Sequence, residues 1–214
     1  MDAKKQIIRE IASFHKRGRP LALALSGGPD SLALFHILLD YQKQSPFELH
    51  IIHIDHGWRK ESHEEAQALE RLAEEHALSF HLKRLTARSL RDAENQARLE
   101  RLSFFKEVAE EVGTQAICLG HHRDDLAETV LKRIFEGAPI ERIGGFSFET
   151  EMGSLILWRP LIHYSKQEIA AKGAFEDPTN RDKQLLRTRL REDILPSLEQ
   201  QFGKRVHGLS LIHI

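Results

Sequence analysis

The stretch LALALSGGPDSLALFHILL, Leu21 to Leu39, decides how this chain folds. Two segments that both demand burial are joined only by Ser-Gly-Gly-Pro-Asp-Ser. Leu21 to Leu25 reads as a short apolar strand, and from Ser31 the spacing becomes helical. In an open parallel sheet, ligands bind beyond the carboxyl ends of strands, where loops enter helices. Ser26, Gly27 and Gly28 therefore sit where backbone N–H groups and a helix N-terminus can gather around an anion. Glycine admits close backbone approach, Ser26 and Ser31 add hydroxyls, and Pro29 suits a first helical turn. Asp30 is the unexpected member. A carboxylate beside a phosphate repels it unless a cation intervenes, so Asp30 points to Mg²⁺. The plainer alternative is a strand-to-helix turn that uses Gly-Gly for geometry and Asp or Ser as an N-cap. The loop has neither the Gly-Lys-Ser/Thr of a Walker A motif nor GxGxxG spacing.

Outward from this stretch, apolar β-leaning runs alternate with helical ones. Further strands are expected at 49–54, 79–85 and 116–120, and helices at 31–42, 63–76, 93–112 and 124–137. In the third helix Ala97, Arg101, Phe104, Phe105 and Val108 fall on one face, and Gly137 stops the fourth. Such alternation implies βαβ crossovers, hence an α/β, doubly wound, mostly parallel sheet with flanking helices. Beyond Gly137 the pattern loosens. GGFSFETEMGSLILWRP reads as a loop and one short strand ending at Pro160. SKQEI opens a brief helix with Ser165 and Glu168 in capping-box relation. DPTN is a turn, and DKQLLRTRLREDILPSLEQQF a basic-to-amphipathic helix bent or stopped near Pro196.

The chain has 214 residues, enough for one good-sized domain, and 31 basic against 32 acidic residues leave a net charge of -1. That balance neither demands nor forbids nucleic acid, since a local basic surface serves a neutral protein. Acids crowd residues 64–75 and bases RDKQLLRTRLR; each is also what a solvated helix face looks like. The first twenty residues read as an amphipathic helix rather than a signal peptide. No apolar run approaches the roughly 20 residues of a membrane helix. The single cysteine, Cys118, excludes an intramolecular disulfide and a cysteine-built zinc site. The expectation is a cytoplasmic protein with no membrane partner.

SGGPDS resembles the SGGxDS loop of the ATP-pyrophosphatase (PP-loop) superfamily, whose members split ATP into AMP and pyrophosphate to activate a substrate. Further motifs narrow the resemblance. HIDHGWR (53–59) is similar to V-D-H-G-L-R of the tRNA(Ile)-lysidine synthetases. ENQARLERLSFF (94–105) resembles their E-x-x-A-R-x-x-R-Y, and LGHHRDDLAETVLKRIFEG (119–137) their G-H-H-x-D-D-Q-A-E-T signature. WRPLIHYSKQEI and EDPTNRD match the R-P-L-L and D-P-S-N elements in order, so the likeness spans roughly residues 20 to 196. It implies one PP-loop catalytic domain over 1–214, with 181–214 as a basic helical extension.

The resemblance also implies a reaction. C2–O of the wobble cytidine in the CAU anticodon of tRNA(Ile) is adenylated by ATP, and the ε-amine of free L-lysine displaces AMP. ATP would lie on Ser26, Gly27, Gly28, Pro29, Asp30 and Ser31, with the purine near Ile54, Asp55 and His56. Catalysis falls to Asp30, Asp124, Asp125 and Arg98, with Mg²⁺ at Asp30. Arg101, Gly120, His121, His122, Arg189 and Arg191 would face tRNA or lysine, and the family leaves room for a homodimer. Plainer readings stand beside these. Asp124 is placed to cap its helix, and Arg98 to pair with Glu94 at i,i+4. His121 or His122 with Asp125 and Glu128 offers metal ligands at helical spacing. His53 and His56 read equally as partly buried histidines, and Trp58, Phe104 and Phe105 as packing residues.

Three departures stand out. Leu126 replaces a glutamine, Leu185 to Thr188 replaces a Tyr-Thr-Arg-Asn run, and only AAKGA separates SKQEI from FEDPTN where relatives have most of a helix. Longer relatives also continue into C-terminal tRNA-binding domains, so the chain is expected to be a short form or a fragment. The rivals are a tRNA thiolase, which a single cysteine disfavours, and a nucleotide-sensing module without catalysis.

Overall fold

The computed structural model describes residues 3–55, 57, 62–85, 93–169 and 189–202. His56, Trp58, the DPTN turn and the run from Leu185 to Thr188 lie outside them. The chain opens with helix α1 (Ala3–Phe14), then alternates β1 (Leu21–Ala24), α2 (Pro29–Gln44), β2 (Leu49–Asp55), α3 (Ser62–Glu75), β3 (Ser79–Arg84), α4 (Ala93–Val112), β4 (Ala116–Cys118) and α5 (Arg123–Phe135). A short α6 (Ile140–Ile143), the pair β5 (Glu149–Met152) and β6 (Leu155–Trp158), and a one-turn α7 (Lys166–Ile169) follow.

The six strands form one sheet in the order β3-β2-β1-β4-β6-β5, parallel except for β5 against β6. Leu23 stands beside Ile51 on one side and Cys118 on the other, which fixes the register of the centre. Period-two alternation divides the core between two faces. Leu21, Leu23, Leu25 and Ile51 pack with α1, α2 and Leu69 of α3, whereas Ala22, Ile52, Ile117 and Leu157 pack with Phe104, Phe105 and Val108 of α4. Covered on both faces, these strands carry near-continuous apolar residues, as parallel strands must. α2 is buried around most of its surface, from Leu32 to Tyr41, and acts as the central pillar beneath the loop that precedes it. Truncating a wholly buried side chain such as Leu34 should cost about 3 kcal/mol.

One expectation is corrected here and another is narrowed. The segment after Gly145 holds a hairpin of two strands rather than one, with Trp158 Nε1 donating to Glu149 across it at 2.7 Å. The last helix, expected to bend or stop near Pro196, changes pitch there and does not stop. Its described part opens on helical Arg189, passes through a π-helical turn (Leu190–Ile194) and continues as α8 (Leu195–Phe202). Proline cannot supply an i→i−4 donor, and the change of pitch falls beside Pro196. The remaining boundaries lie close to expectation: α5 ends just before Gly137, whose φ of +71° provides the left-handed stop.

Candidate active site

The strand order reverses direction between β1 and β4, and the loops that follow these two strands open there into one cleft. β1 delivers Ser26–Gly28. Gly27 adopts φ +83°, a conformation that strains any other residue, and Gly28 is the N-cap of α2 with Pro29 and Asp30 in its first turn. No side chain caps this helix. The plain reading of the loop, in which Asp or Ser caps α2, is therefore not what forms. Ser31 Oγ instead donates to Gly28 O at 2.9 Å and lies 3.1 Å from Ser26 Oγ, so the serines brace the loop. Below it, buried His53 meets Leu25 O through Nδ1 at 2.8 Å, and burial holds its pKa below the ordinary value.

β4 delivers the second half. A Cβ on Gly120 would sit 2.9 Å from Ser31 N and 3.1 Å from the Asp30 carbonyl carbon, so only glycine lets the two loops touch. His122, 2% exposed, then caps α5. Its Nδ1 accepts the N–H groups of Asp124 (3.2 Å) and Asp125 (3.4 Å), while Asp125 Oδ2 accepts the His122 N–H in return. Nε2 lies 3.5 Å from Asp30 Oδ2 and 3.5 Å from Asp125 Oδ2, drawing one acid from each loop to a shared point. Burial opposes a charge on His122, but the hydrogen bond to Asp30 and the charges of Asp125, Asp30 and Asp124 prevail and raise its pKa. Asp124 does not cap α5. Its Oδ2 accepts the Lys166 N–H at 3.0 Å and fastens α7 to the site.

The cleft encloses about 1100 Å³. Ser26, Gly28, Asp30, Ser31, Gly120, His121 and Asp125 line it, together with Ile54 at the β2 end and Arg98 and Arg101 of α4. Arg98 is exposed and Arg101 half-buried, on the face that also turns Phe105 inward. Glu94, the alternative partner of Arg98, has its side chain outside the described residues. Asp55 is buried, its Oδ1 accepting the Gly57 N–H at 2.8 Å. Arg189 is exposed at the start of the π turn, which packs against α5, and Arg191 lies within that turn. Among the described residues no group of three or more His, Cys, Asp or Glu is arranged to hold a metal unaided.

Sequence reasoning missed part of the lining. Phe146 to Phe148, Thr150 and Arg159, all from the hairpin segment, also line the cleft, as do Thr129 and Arg133 of α5. The available signal was Arg-Pro directly after an apolar strand, a position that in a parallel sheet faces the ligand edge.

Comparison with known proteins agrees with this architecture. A U34-tRNA thiolase, NcsA from Methanococcus maripaludis, superposes with a TM-score of 0.74 at 20% identity, over 99% of this chain and 79% of that one, which establishes the shared fold. The tRNA(Ile)-lysidine synthase of Protochlamydia amoebophila is 41% identical over 98% of this chain and 47% of its own length. Those of Chlamydia pneumoniae and Streptococcus thermophilus are 39% and 34% identical, over 94% and 97% of this chain and 64% and 48% of theirs. The chain thus spans about half to two thirds of the curated relatives it matches. The ATP_bind_3 model, described as a PP-loop domain, matches residues 3–198, and with the loop from Ser26 to Ser31 at the switch point of its sheet, the chain belongs to that ATP-binding family.

Proposed function

We propose that this chain is the catalytic PP-loop domain of a tRNA(Ile)-lysidine synthetase, a ligase that joins L-lysine to the wobble cytidine of a CAU anticodon. One observation carries the reading. An uncapped helix N-terminus and two carboxylates, Asp30 and Asp125, meet in a single cleft that Arg98 and Arg101 also line. The curated relatives named for this activity add support, and the basic helical extension 181–214 belongs to the proposal as a tRNA-facing element.

The backbone N–H groups of the first turn of α2, with Ser26 and Ser31, cradle the β- and γ-phosphates of ATP, and Ile54 offers an apolar wall toward the purine. The acids suit a hard cation. Their donors are carboxylate oxygens converging from two loops, and magnesium completes its shell with water and phosphate oxygens. Asp30, with Asp125 beside it, would hold Mg²⁺, which when bound neutralises charge on the departing pyrophosphate. The cytidine O2 forms a bond to the α-phosphorus as the bond to pyrophosphate breaks. Arg98 and Arg101 would stabilise charge that develops on the α-phosphoryl oxygens. The lysine amine must first surrender a proton, which Asp125 would accept. Its nitrogen then bonds to C2 as the C2–O bond breaks and AMP leaves. His122, buried and occupied on both ring nitrogens, aligns Asp30 and Asp125 rather than touching tRNA.

Sulfur transfer is disfavoured by a specific observation. Cys118 is the only cysteine in the sequence, is fully buried in β4, and burial pushes its thiol up to about 12. The deciding assay follows AMP release from ATP with Mg²⁺, supplying L-lysine and a CAU-anticodon tRNA(Ile) transcript separately and together. Release that requires the tRNA, with labelled lysine entering it, is expected. Release with lysine alone, or with a tRNA of another anticodon, would contradict the proposal.

A further inference from the structure

Arg159, directly after β6, is a buried cation without a buried anion. It is 7% exposed, and no carboxylate among the described residues pairs with it. Its Nη1 donates to Ser147 O (3.1 Å) and Thr150 Oγ1 (2.8 Å), and the Phe146 ring lies 4.9 Å from its central carbon. All three contacts are electrically neutral. Its Nε is buried and meets no acceptor among the described residues. Buried charges in proteins are paired or hold a ligand, so this arrangement lacks its anion. Burial, and then the charge of Arg98, lower its pKa to about 10, which still leaves it cationic at neutral pH.

We infer that Arg159 receives the α-carboxylate of the free amino-acid substrate, which enters the cleft on the β6 side, where Arg159 lines it. The inference rests on the lysine-joining reading and supplies what that reading lacks, a reason for amino-acid selectivity. Position argues for it first. β2 and β6 lie on opposite flanks of the β1–β4 pair, so with the purine over Ile54 the β6 flank is left for the second reactant. Depth argues for it next. A side chain this enclosed suits a small carboxylate, whereas exposed Arg98 suits the bulkier phosphoryl group. Charge completes the argument, because Asp125 lines the same cleft and offers an acid to the amine end of an amino acid. A guanidinium edge matches a planar carboxylate in shape as well as sign.

The test is equilibrium binding of L-lysine and of cadaverine, which is lysine without its carboxylate, by calorimetry in the presence of a non-hydrolysable ATP analogue. Wild type, Arg159→Met and Arg159→Lys are compared, with circular dichroism to verify folding. Wild type should prefer lysine by on the order of tenfold or more, the worth of a hydrogen bond to a charged group. Arg159→Met should lose that preference with cadaverine binding unchanged, and Arg159→Lys should keep only part of it. Should Arg159→Met not fold, a severalfold loss in Arg159→Lys decides in favour and an unchanged preference decides against. Preference retained in Arg159→Met, equal binding by wild type, or a loss that falls on tRNA affinity instead would overturn the assignment. Because no turnover is needed, a failure here is separable from a failure of the AMP-release assay, which counts against the function itself.

Discussion

His122 stands where the two loops of the site meet, and its proton inventory sets two predictions. With Nδ1 accepting from the backbone, Nε2 carries the proton and faces Asp30 and Asp125. A second proton would give Nδ1 to Asp124 Oδ2, 3.8 Å away, in exchange for the cap. Because the folded chain raises this pKa, the imidazolium is held better in the native state than in the unfolded one. The resulting stabilisation is complete below the unfolded value of about 6.5 and disappears as pH rises through the higher native value. His122→Asn keeps a capping side chain but has nothing to titrate. The gap in Tm between wild type and variant should therefore be wider near pH 6 than near pH 9, in scans at about those two values; an equal gap would show that His122 acts through the cap alone. Asp30→Ala and Asp125→Ala should each reduce AMP release at least a hundredfold, on the order of 3 kcal/mol in the barrier, with an unchanged circular dichroism spectrum. Near-normal turnover by either would remove that residue from the mechanism. These acids were legible in the sequence because SGGPDS and HHRDD are local. Asp124 was legible as a cap but not as the cap of another helix, since its partner, Lys166, is 42 residues away.

Between elements, the closest constraint is the contact of the β4–α5 loop with the start of α2. Gly120→Ala places a methyl group against backbone atoms of Asp30 and Ser31, which cannot swing aside as a side chain would. The strain should cost about 1–3 kcal/mol and separate Asp30 from Asp125. Chemical denaturation should show the loss, and activity should fall further than stability accounts for. A fully active Gly120→Ala would mean that the two loops need not touch. Strands with strong apolar runs, such as Leu49–Asp55, announced themselves, as did the helix over residues 93–112. β5 did not. Glu-Thr-Glu-Met is polar and half-exposed at a sheet edge, and β6 pairing with Trp158–Glu149 makes it a strand, not its own composition. Arg159 was visible only as part of the Trp-Arg-Pro-Leu element; that it lines the cleft depends on β6 lying beside β4.

Over the whole molecule, strand–helix alternation was enough to fix a parallel sheet, but not that its order turns at β1 and β4 and gathers loop, acids and arginines in one cleft. A net charge of -1 leaves the proposed tRNA binding to local surfaces, for which Arg98 and Arg101 at the cleft and exposed Arg189 ahead of α8 are the candidates. tRNA affinity should therefore fall steeply with salt, about tenfold or more between roughly 50 and 200 mM for a few phosphate contacts. A flat response in filter binding would exclude a phosphate-contacting surface. The central claim is that this cleft moves an adenylyl group from ATP to tRNA before lysine acts. It is tested most directly by withholding lysine and following α-labelled ATP in a single turnover with the CAU-anticodon tRNA(Ile) transcript. Label should accumulate on the tRNA, leave as AMP when lysine is added, and fail to appear with Asp30→Ala. ATP bound without any label reaching the tRNA, or label reaching tRNAs irrespective of anticodon, would contradict the account.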